Sequence, residues 1–267
     1  MKQILSICMA VFFLSLATNL KAQTTSIVGE EVTYSDASGT ALKGYVAYDG
    51  KIKGARPAVL VIHEWWGIND YARKRADMLA ALGYIAIAVD MYGDAKQGNT
   101  PQEAGALATP FYKDPKLAYS RVEAALNKIK TYPQTDAKNI AAIGYCFGGS
   151  MVLNAAKLGM NLKGVVSFHG GLAGVPATTG TTKAKILVCH GAADKFISDA
   201  ELTGFKANLD SVKVNYTFKS YPDATHAFSN PEATEKGKKF NIPIAYNAEA
   251  DKNSWNDMKA FLENIFK

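Results

Sequence analysis

A cysteine lies in a glycine-rich segment, Gly144-Tyr-Cys146-Phe-Gly148-Gly149, between a short apolar run and a stretch with helical spacing of apolar residues. This pattern is typical of a nucleophile elbow, the sharp strand-to-helix turn that exposes a reactive side chain, here with cysteine in place of serine. A helix N-terminus also favours the thiolate form of a cysteine. The other interpretation, a buried structural cysteine, suits the residue type but not the strand-turn-helix context.

The partners that such a nucleophile needs follow it along the chain. Asp194 comes just after the predicted strand Lys185 to Cys189, and His226 follows the predicted strand Val212 to Tyr221. Nucleophile, acid and histidine in this order are typical of an α/β-hydrolase triad. His226 would take the thiol proton and later protonate the leaving group, while Asp194 would orient the imidazole ring. Taken alone, Asp194 would be interpreted as a turn or cap residue.

Two other histidines end predicted strands. His169 precedes Gly170 and Gly171, and His190 precedes Gly191. Both come before Asp194 in the chain, whereas the base of an α/β-hydrolase triad comes after the acid. We therefore predict that both are hydrogen-bonded loop histidines and that neither is the catalytic base.

Motifs for metals and phosphates are incomplete. The segment His63-Glu64-Trp65-Trp66-Gly67 is not the zinc motif H-E-x-x-H, because no second histidine stands at the required spacing. A glycine-rich helix start could bind phosphate, but neither the P-loop pattern nor a full G-x-G-x-x-G accompanies it. The sequence therefore predicts no metal and no cofactor.

Composition narrows the class of protein. The 267 residues are 48% hydrophobic and 20% charged, as in an ordinary globular protein. Lys and Arg number 30 against 24 Asp and Glu, a net charge of +6, but the lysines are dispersed. The one small cluster, Lys236-Gly-Lys238-Lys239, is interpreted as a solvated loop. These features disfavour nucleic acid as a partner.

The first 22 residues have the three parts of an export signal. Lys2 supplies a positive start, residues 4–17 form an uncharged and mostly apolar run, and Leu20-Lys21-Ala22 ends in a small residue. That run is shorter than the roughly 20 residues that span a bilayer, so a retained membrane helix is the weaker alternative. We expect cleavage before Gln23, a single domain over residues 23–267 without a membrane span, and a periplasmic or secreted location.

Strand and helix patterns alternate along the rest of the chain. Two alternating segments around a turn predict an N-terminal antiparallel hairpin, and short apolar runs predict buried strands separated by helices. The fold class predicted is α/β, an α/β-hydrolase-type mostly parallel sheet with that hairpin at its edge and helices on both faces. The predicted strands are 31–35, 41–48, 58–62, 84–89, 140–143, 164–168, 185–189 and 212–221. The predicted helices start at Asn69 or Asp70, Asp114-Pro115, Gly149, Ser198 and Asn247.

Cysteine usage also bears on the fold. After signal removal only Cys146 and Cys189 remain. We place the strand around residues 165–168 between the strands that carry them, so two strand spacings, about 9.5 Å, separate the two. Because that distance is beyond the reach of a disulfide, both thiols are predicted to be free.

Together these motifs resemble the dienelactone hydrolase family. The resemblance rests on His63-Glu64-Trp65-Trp66-Gly67, the cysteine elbow, the Asp194 turn and the segment from Tyr221 to Phe228, and runs from about Val28 to Lys267. It implies an α/β-hydrolase core with a triad of Cys146, Asp194 and His226. It also implies that Glu64 contacts the resting thiol and helps to activate it, and that the backbone N–H groups of Trp65 and Phe147 form the oxyanion hole. The alternative for Glu64 is a salt-bridged structural carboxylate.

One departure from the family pattern bears on the substrate. Where dienelactone hydrolases carry an arginine that binds the substrate carboxylate, this chain has Asp94, in Val89-Asp-Met-Tyr-Gly-Asp94. An aspartate would repel a carboxylate, and Lys96 is a weaker substitute. We therefore expect a preference for neutral substrates.

The function expected is an exported hydrolase that acts as a monomer on a small-molecule ester or lactone. An acyl-enzyme on Cys146 would be its intermediate. Two alternatives stay open. The same triad could transfer the acyl group to an acceptor other than water, or the chain could be a non-catalytic envelope binding protein on a hydrolase scaffold.

Overall fold

The computed structural model describes residues 26–267. The predicted export signal lies outside the described residues. Within the described part, none of the helices is both long enough and apolar enough to span a bilayer.

The described residues build one eight-stranded sheet in the order β1-β2-β4-β3-β5-β6-β7-β8. Strands β1 and β2 form an antiparallel hairpin, and β2 pairs antiparallel with β4. All other pairings are parallel, so the predicted fold class is confirmed. The strands are β1 Ile27–Ser35, β2 Ala41–Asp49, β3 Arg56–Ile62, β4 Ile85–Val89, β5 Thr135–Tyr145, β6 Gly164–Phe168, β7 Lys185–Gly191 and β8 Tyr216–Tyr221.

Helices cover both faces of the sheet. One core cluster joins the sheet to α2, α3, α4 and α5, and a second joins it to α1 and α7. Because both faces are covered, β4 and β6 are buried along their whole length and consist of uninterrupted, mostly apolar residues. The helices are α1 Asp70–Ala81, α2 Pro101–Lys113, α3 Pro115–Lys130, α4 Phe147–Lys157, α5 Asp199–Ser211, α6 Ala233–Phe240 and α7 Ala248–Ile265.

Side-chain caps begin the helices that the sequence predicted, except α4, which follows the elbow at Cys146 without one. Asn69 accepts a hydrogen bond from the backbone N–H of Ala72 at 3.3 Å, and Asp114 accepts one from Lys116 at 2.9 Å. Asn247 does the same for α7. Each cap satisfies a backbone donor that the first turn of a helix leaves free.

Two helices differ from the sequence prediction. Helix α2 was not predicted, because Gly105 and Pro110 interrupt its pattern. The lysine cluster at residues 236–239, interpreted as a solvated loop, lies in helix α6, so that interpretation was wrong. Its apolar contact is Phe240, whose ring stacks on Trp66 with centroids 5.8 Å apart.

Sheet order places the two cysteines as predicted. Strand β6 lies between β5 and β7, and therefore between Cys146 and Cys189. Both residues are free thiols in the structure. The parallel strands β3, β5 and β7 end at one edge of the sheet, where ligands of open α/β sheets bind.

Candidate active site

The turn between β5 and α4 has the backbone geometry that the elbow motif predicts. Cys146 has φ +52° and ψ −114°, a strained conformation for a non-glycine residue. A Cβ on Gly144 would lie 2.1 Å from the carbonyl oxygen of Gly148, and one on Gly148 would lie 2.3 Å from that of Ile62. Both glycines are therefore required by the close approach of three backbone segments.

Cys146, His226 and Asp194 form a continuous hydrogen-bonded chain. The Sγ atom of Cys146 is 3.0 Å from Nε2 of His226, and Nδ1 of His226 is 2.8 Å from Oδ2 of Asp194. The other carboxylate oxygen of Asp194 accepts the backbone N–H of Phe196 at 2.9 Å. His226 and Asp194 are buried, while Cys146 is half-buried. The structure thus brings together the three residues that the sequence singled out, with His226 between the other two.

His226 is charged at neutral pH in this environment. Burial alone would lower its pKa, but the neighbouring Cys146 and the hydrogen bond to Asp194 outweigh burial and raise the pKa to about 10. An imidazolium next to a sulfur stabilises the thiolate, which is the reactive form of cysteine. The pair is suited to nucleophilic attack on a carbonyl carbon.

His169 contacts the elbow from the end of β6. Its Nδ1 accepts a hydrogen bond from the backbone N–H of Cys146 at 3.1 Å, and its Nε2 lies 2.7 Å from Oγ of Ser229. Ser229 in turn is 2.8 Å from the hydroxyl of Tyr71, and its carbonyl accepts from Arg75 at 2.7 Å. The prediction of a hydrogen-bonded loop histidine is confirmed for His169, but its contact with the nucleophile was not foreseen.

His190 differs from its prediction. It lies inside strand β7 rather than in a loop. Its Nδ1 is buried and, among the described residues, finds no hydrogen-bond partner. Burial lowers the pKa of His190, so the ring is neutral and packs against Phe218 with centroids 5.6 Å apart.

Glu64 lies at the site without touching the thiol. Its Oε2 accepts a hydrogen bond from Nδ2 of Asn230 at 2.6 Å, whereas the sulfur of Cys146 faces His226. Burial raises the pKa of Glu64 despite that hydrogen bond. The family resemblance implied a contact between Glu64 and the resting thiol, but in this structure Glu64 bonds to Asn230 instead. Glu64 does not form a salt bridge in the described residues, so the alternative of a salt-bridged carboxylate does not apply.

The two backbone donors expected for an oxyanion lie at the ends of neighbouring strands. Trp65 follows β3, and Phe147 is the first residue of α4. In residues 26–267, neither N–H donates to a protein acceptor, whereas Gly148 donates to the carbonyl of His63 at 3.1 Å and so ties the two segments together. Free N–H groups beside a nucleophile are what an oxyanion hole requires.

A cavity of about 390 Å³ opens over the sulfur. This volume falls in the range of small-molecule sites, about 300–1,000 Å³. Most of its wall is apolar, and its polar members include the reacting residues. The lining residues are Glu64, Trp65, Trp66, Tyr112, Cys146, Gly171, Phe196, Ile197, Glu201, His226, Ala227, Ile242 and Ile244.

Asp94 lies outside this cavity. It pairs with Lys43 at 3.2 Å on the surface, and both side chains are exposed. Lys96 does not line the cavity either, and Arg73 pairs with Glu31 elsewhere. The expectation that Asp94 acts on the substrate directly is therefore wrong, although the cavity wall contains no lysine or arginine.

Some residues of the site could hardly be predicted from the sequence. Ser229 and Asn230 follow His226 by three and four positions, so only closeness along the chain could have suggested them. Glu201 lies in a helix that was predicted, but nothing in the sequence indicated which way it faces. No cluster of three or more His, Cys, Asp or Glu side chains within residues 26–267 is arranged to hold a metal ion.

Comparison with known proteins identifies the family. The sequence profile of the dienelactone hydrolase family matches residues 42–266, most of the chain. The chain belongs to the dienelactone hydrolase family. A relative from Synechocystis sp. with the name "Putative carboxymethylenebutenolidase" is 28% identical over 241 residues, which cover 85% of this chain and 93% of the relative.

Solved structures agree with the family and the fold. A dienelactone hydrolase-like promiscuous phosphotriesterase from metagenomic libraries superimposes with a TM-score of 0.84 at 33% identity, over 90% of this chain and 99% of that chain. A structure titled m3DLH gives the same TM-score and coverage at 31% identity. The protein is a dienelactone hydrolase-like hydrolase with the α/β-hydrolase fold.

Proposed function

We propose that the protein hydrolyses esters or lactones without an anionic group, through a thioester formed on Cys146. The observation that carries the proposal is the hydrogen-bonded chain from Sγ of Cys146 to Asp194 at the mouth of the cavity. The elbow strain, the charged state of His226 and the free N–H groups of Trp65 and Phe147 support it.

In the first half of the proposed reaction, the thiolate of Cys146 attacks the carbonyl carbon of the substrate. The carbonyl oxygen becomes an oxyanion, which the N–H groups of Trp65 and Phe147 stabilise. The carbon–oxygen bond to the leaving alcohol then breaks, and the alcohol takes the Nε2 proton of His226. The thioester and a neutral imidazole remain, with Asp194 fixing the ring.

In the second half, His226 acts as a base. Water gives a proton to Nε2 while its oxygen attacks the thioester carbon. The second oxyanion accepts hydrogen bonds from the same two N–H groups. Collapse of that intermediate breaks the carbon–sulfur bond and releases the carboxylic acid. The cycle ends with the imidazolium and thiolate restored, because one hydrogen of the water stays on His226 as its new proton and the other leaves with the carboxylic acid.

Glu64 keeps a place in the proposal as a positioning residue. Its carboxyl is held by Asn230, four residues after His226, and Glu64 lines the same cavity as Cys146 and His226. To reach the thiol it would have to leave Asn230. A Glu64→Gln variant that loses kcat while KM stays constant would support a role in activation, whereas unchanged kinetics would restrict Glu64 to structure.

The test of the proposed function uses an activated ester such as p-nitrophenyl acetate. We expect Cys146→Ala to abolish turnover, and Asp194→Asn to lower kcat by a factor of about 10² or more, since a triad acid orients the base. Cys189→Ala is the matched control, because that thiol is buried away from the cavity and should leave activity intact. Full activity in Cys146→Ala would overturn the proposal.

Acyl transfer and binding without catalysis are separated by the same assay. Transfer to an added alcohol or amine in preference to water would favour an acyltransferase. No turnover of any ester, together with saturable ligand binding, would favour a binding protein.

A second candidate activity is phosphotriester hydrolysis. The similar solved structure is a promiscuous phosphotriesterase by its title, and a cavity wall without lysine or arginine suits a neutral triester. Release of p-nitrophenol from a dialkyl p-nitrophenyl phosphate, lost in Cys146→Ala, would support this activity.

We also propose that the protein acts outside the cytoplasm after removal of residues 1–22. The support is the pattern of Lys2, the apolar run and Ala22. N-terminal sequencing of protein from the exporting host should begin near Gln23. An intact Met1 in a membrane fraction would overturn this proposal.

A further inference from the structure

Two exposed aromatic side chains flank the reacting atoms. Tyr112 and Phe196 are 53% and 52% exposed, and both line the catalytic cavity. In the part of the chain that the structure describes, the other exposed large apolar residues are Val28 and Leu82, which do not line it. Exposed apolar surface next to a cavity marks a ligand-contact site.

Both rings pack against residues of the site. Phe196 packs edge-on against His226 with centroids 4.9 Å apart, and Tyr112 packs edge-on against Phe147 at 5.6 Å. Trp65, which is half-buried, adds a third aromatic side chain to the wall. An aromatic face attracts a cation within about 6 Å of its centroid.

Two carboxyl side chains line the cavity. They belong to Glu64 and Glu201, and Cys146 and His226 lie in the same wall. Burial raises the pKa of Glu64, whereas Glu201 is only partly buried. Lysine and arginine are absent from the wall.

The carboxylate of Glu201 is held rigidly. Its Oε1 accepts the backbone N–H groups of Leu172 and Ala173 at 2.7 and 2.8 Å. Lys157 lines an adjoining pocket together with Glu201, and burial lowers the pKa of Lys157 to about 8 in spite of Glu201. None of the ion pairs in the described residues involves Glu201.

We propose that the catalytic cavity selects esters that carry an ammonium group, with Glu201 and the rings of Tyr112 and Phe196 as the specificity-determining residues. Aromatic side chains and a carboxylate that line one cavity, in a wall without lysine or arginine, form the chemistry that recognises ammonium ions. This inference rests on the proposed ester hydrolysis and names its substrate class.

The test compares two esters of the same shape. Acetylcholine carries a quaternary ammonium, and 3,3-dimethylbutyl acetate has a carbon atom in place of the nitrogen. We expect kcat/KM to be about tenfold higher for the cationic ester, in line with a desolvated cation–π contact and one carboxylate. In Glu201→Gln, which keeps the acceptor for Leu172 and Ala173, that ratio should fall to within about threefold of one.

Two further variants separate charge from shape. Asp199→Asn removes one negative charge from the same helix at an exposed position outside the cavity and should leave the ratio unchanged. Phe196→Leu keeps an apolar side chain without a π face and should lower the ratio. A ratio of one or less in the unmodified protein, or an unchanged ratio in Glu201→Gln, overturns the inference.

The failure of ester hydrolysis would be seen separately. If p-nitrophenyl acetate is cleaved but neither test ester is, the cavity does not select ammonium esters and the inference is overturned. If no ester is cleaved, the proposed function fails. Calorimetry with choline and 3,3-dimethylbutanol then decides the binding preference, since tighter binding of choline that is lost in Glu201→Gln supports it and equal binding overturns it.

Discussion

Cys146, the proposed nucleophile, is joined to His169 through its own backbone. Its N–H lies 3.1 Å from Nδ1 of His169 and 2.9 Å from the carbonyl oxygen of Phe168. Because Nδ1 accepts, the ring proton is on Nε2, which donates to Oγ of Ser229. Burial, with the nearby charge of His226, keeps the pKa of His169 well below its ordinary value. A neutral ring of fixed tautomer therefore supports the strained elbow.

Replacing His169 by leucine should lower kcat by about three- to tenfold. The N–H of Cys146 would keep only the carbonyl of Phe168, and a weakened hydrogen bond in a buried network typically changes the free energy by about 0.5–1.5 kcal/mol. Steady-state kinetics with p-nitrophenyl acetate would measure this, with KM expected to stay near its original value. His169→Asn, which can place an oxygen near the position of Nδ1, should recover most of kcat. Equal losses in both variants would contradict a hydrogen-bonding role.

His226 should make the stability of the protein depend on pH. Its pKa of about 10 in the native state lies above the unfolded value of about 6.5. The stability that it contributes is therefore full below pH 6.5 and is lost as the pH rises towards 10.

Urea unfolding of the wild type and His226→Gln would measure this contribution. The difference in the free energy of unfolding should be largest at pH 6 and should shrink by pH 10. A difference that grows with pH would contradict the charged state of His226. Titration of the ring by NMR gives the same pKa independently.

Gly148→Ala should destabilise the protein by about 1–3 kcal/mol, as overpacking of a close backbone contact does. The added Cβ would lie 2.3 Å from the carbonyl oxygen of Ile62. Gly204→Ala is the matched control, since no atom lies within 4 Å of its Cβ and it is inside helix α5. That change should stabilise the protein by about 0.5–1 kcal/mol. Thermal unfolding of both variants checks the difference in sign.

Asp94→Arg should leave the preference between neutral and anionic substrates within about twofold of its original value. Asp94 lies outside the cavity and pairs with Lys43 on the surface, and exposed pairs contribute only about 0–1 kcal/mol. The ratio of kcat/KM for a neutral and an anionic lactone of similar size measures the preference. A tenfold shift towards the anionic lactone would show that residue 94 reaches the substrate after all.

The sequence correctly predicted those features whose local residue pattern is set by the space and burial around them. The elbow could be predicted because only glycines fit beside Ile62 and Gly148, and β4 and β6 because burial on both faces leaves a continuous apolar run. The order of Cys146, Asp194 and His226 along the chain predicted that these three strand ends meet at one site.

Other features depend on contacts between distant segments and leave no local pattern. Helix α2 packs through Ala104, Ala108 and Phe111 although glycine and proline interrupt it, because tertiary packing outweighs propensity. The position of Asp94 was misjudged since its sequence offset from β4 does not fix the direction of the loop. Asn230 approaches Glu64 from 166 residues away, which no spacing rule covers.

Arg75 joins the segment after His226 to helix α7. The guanidinium of Arg75 reaches the carbonyl of Ser229 at 2.7 Å and Asp251 at 2.5 Å. Asp251 belongs to α7, and Ser229 follows His226 by three residues and lies 2.7 Å from Nε2 of His169. Local opening of α7 would therefore take away one of the oxygen partners of this buried guanidinium. Loosening of a helix that does not line the cavity would in this way loosen the segment beside His226.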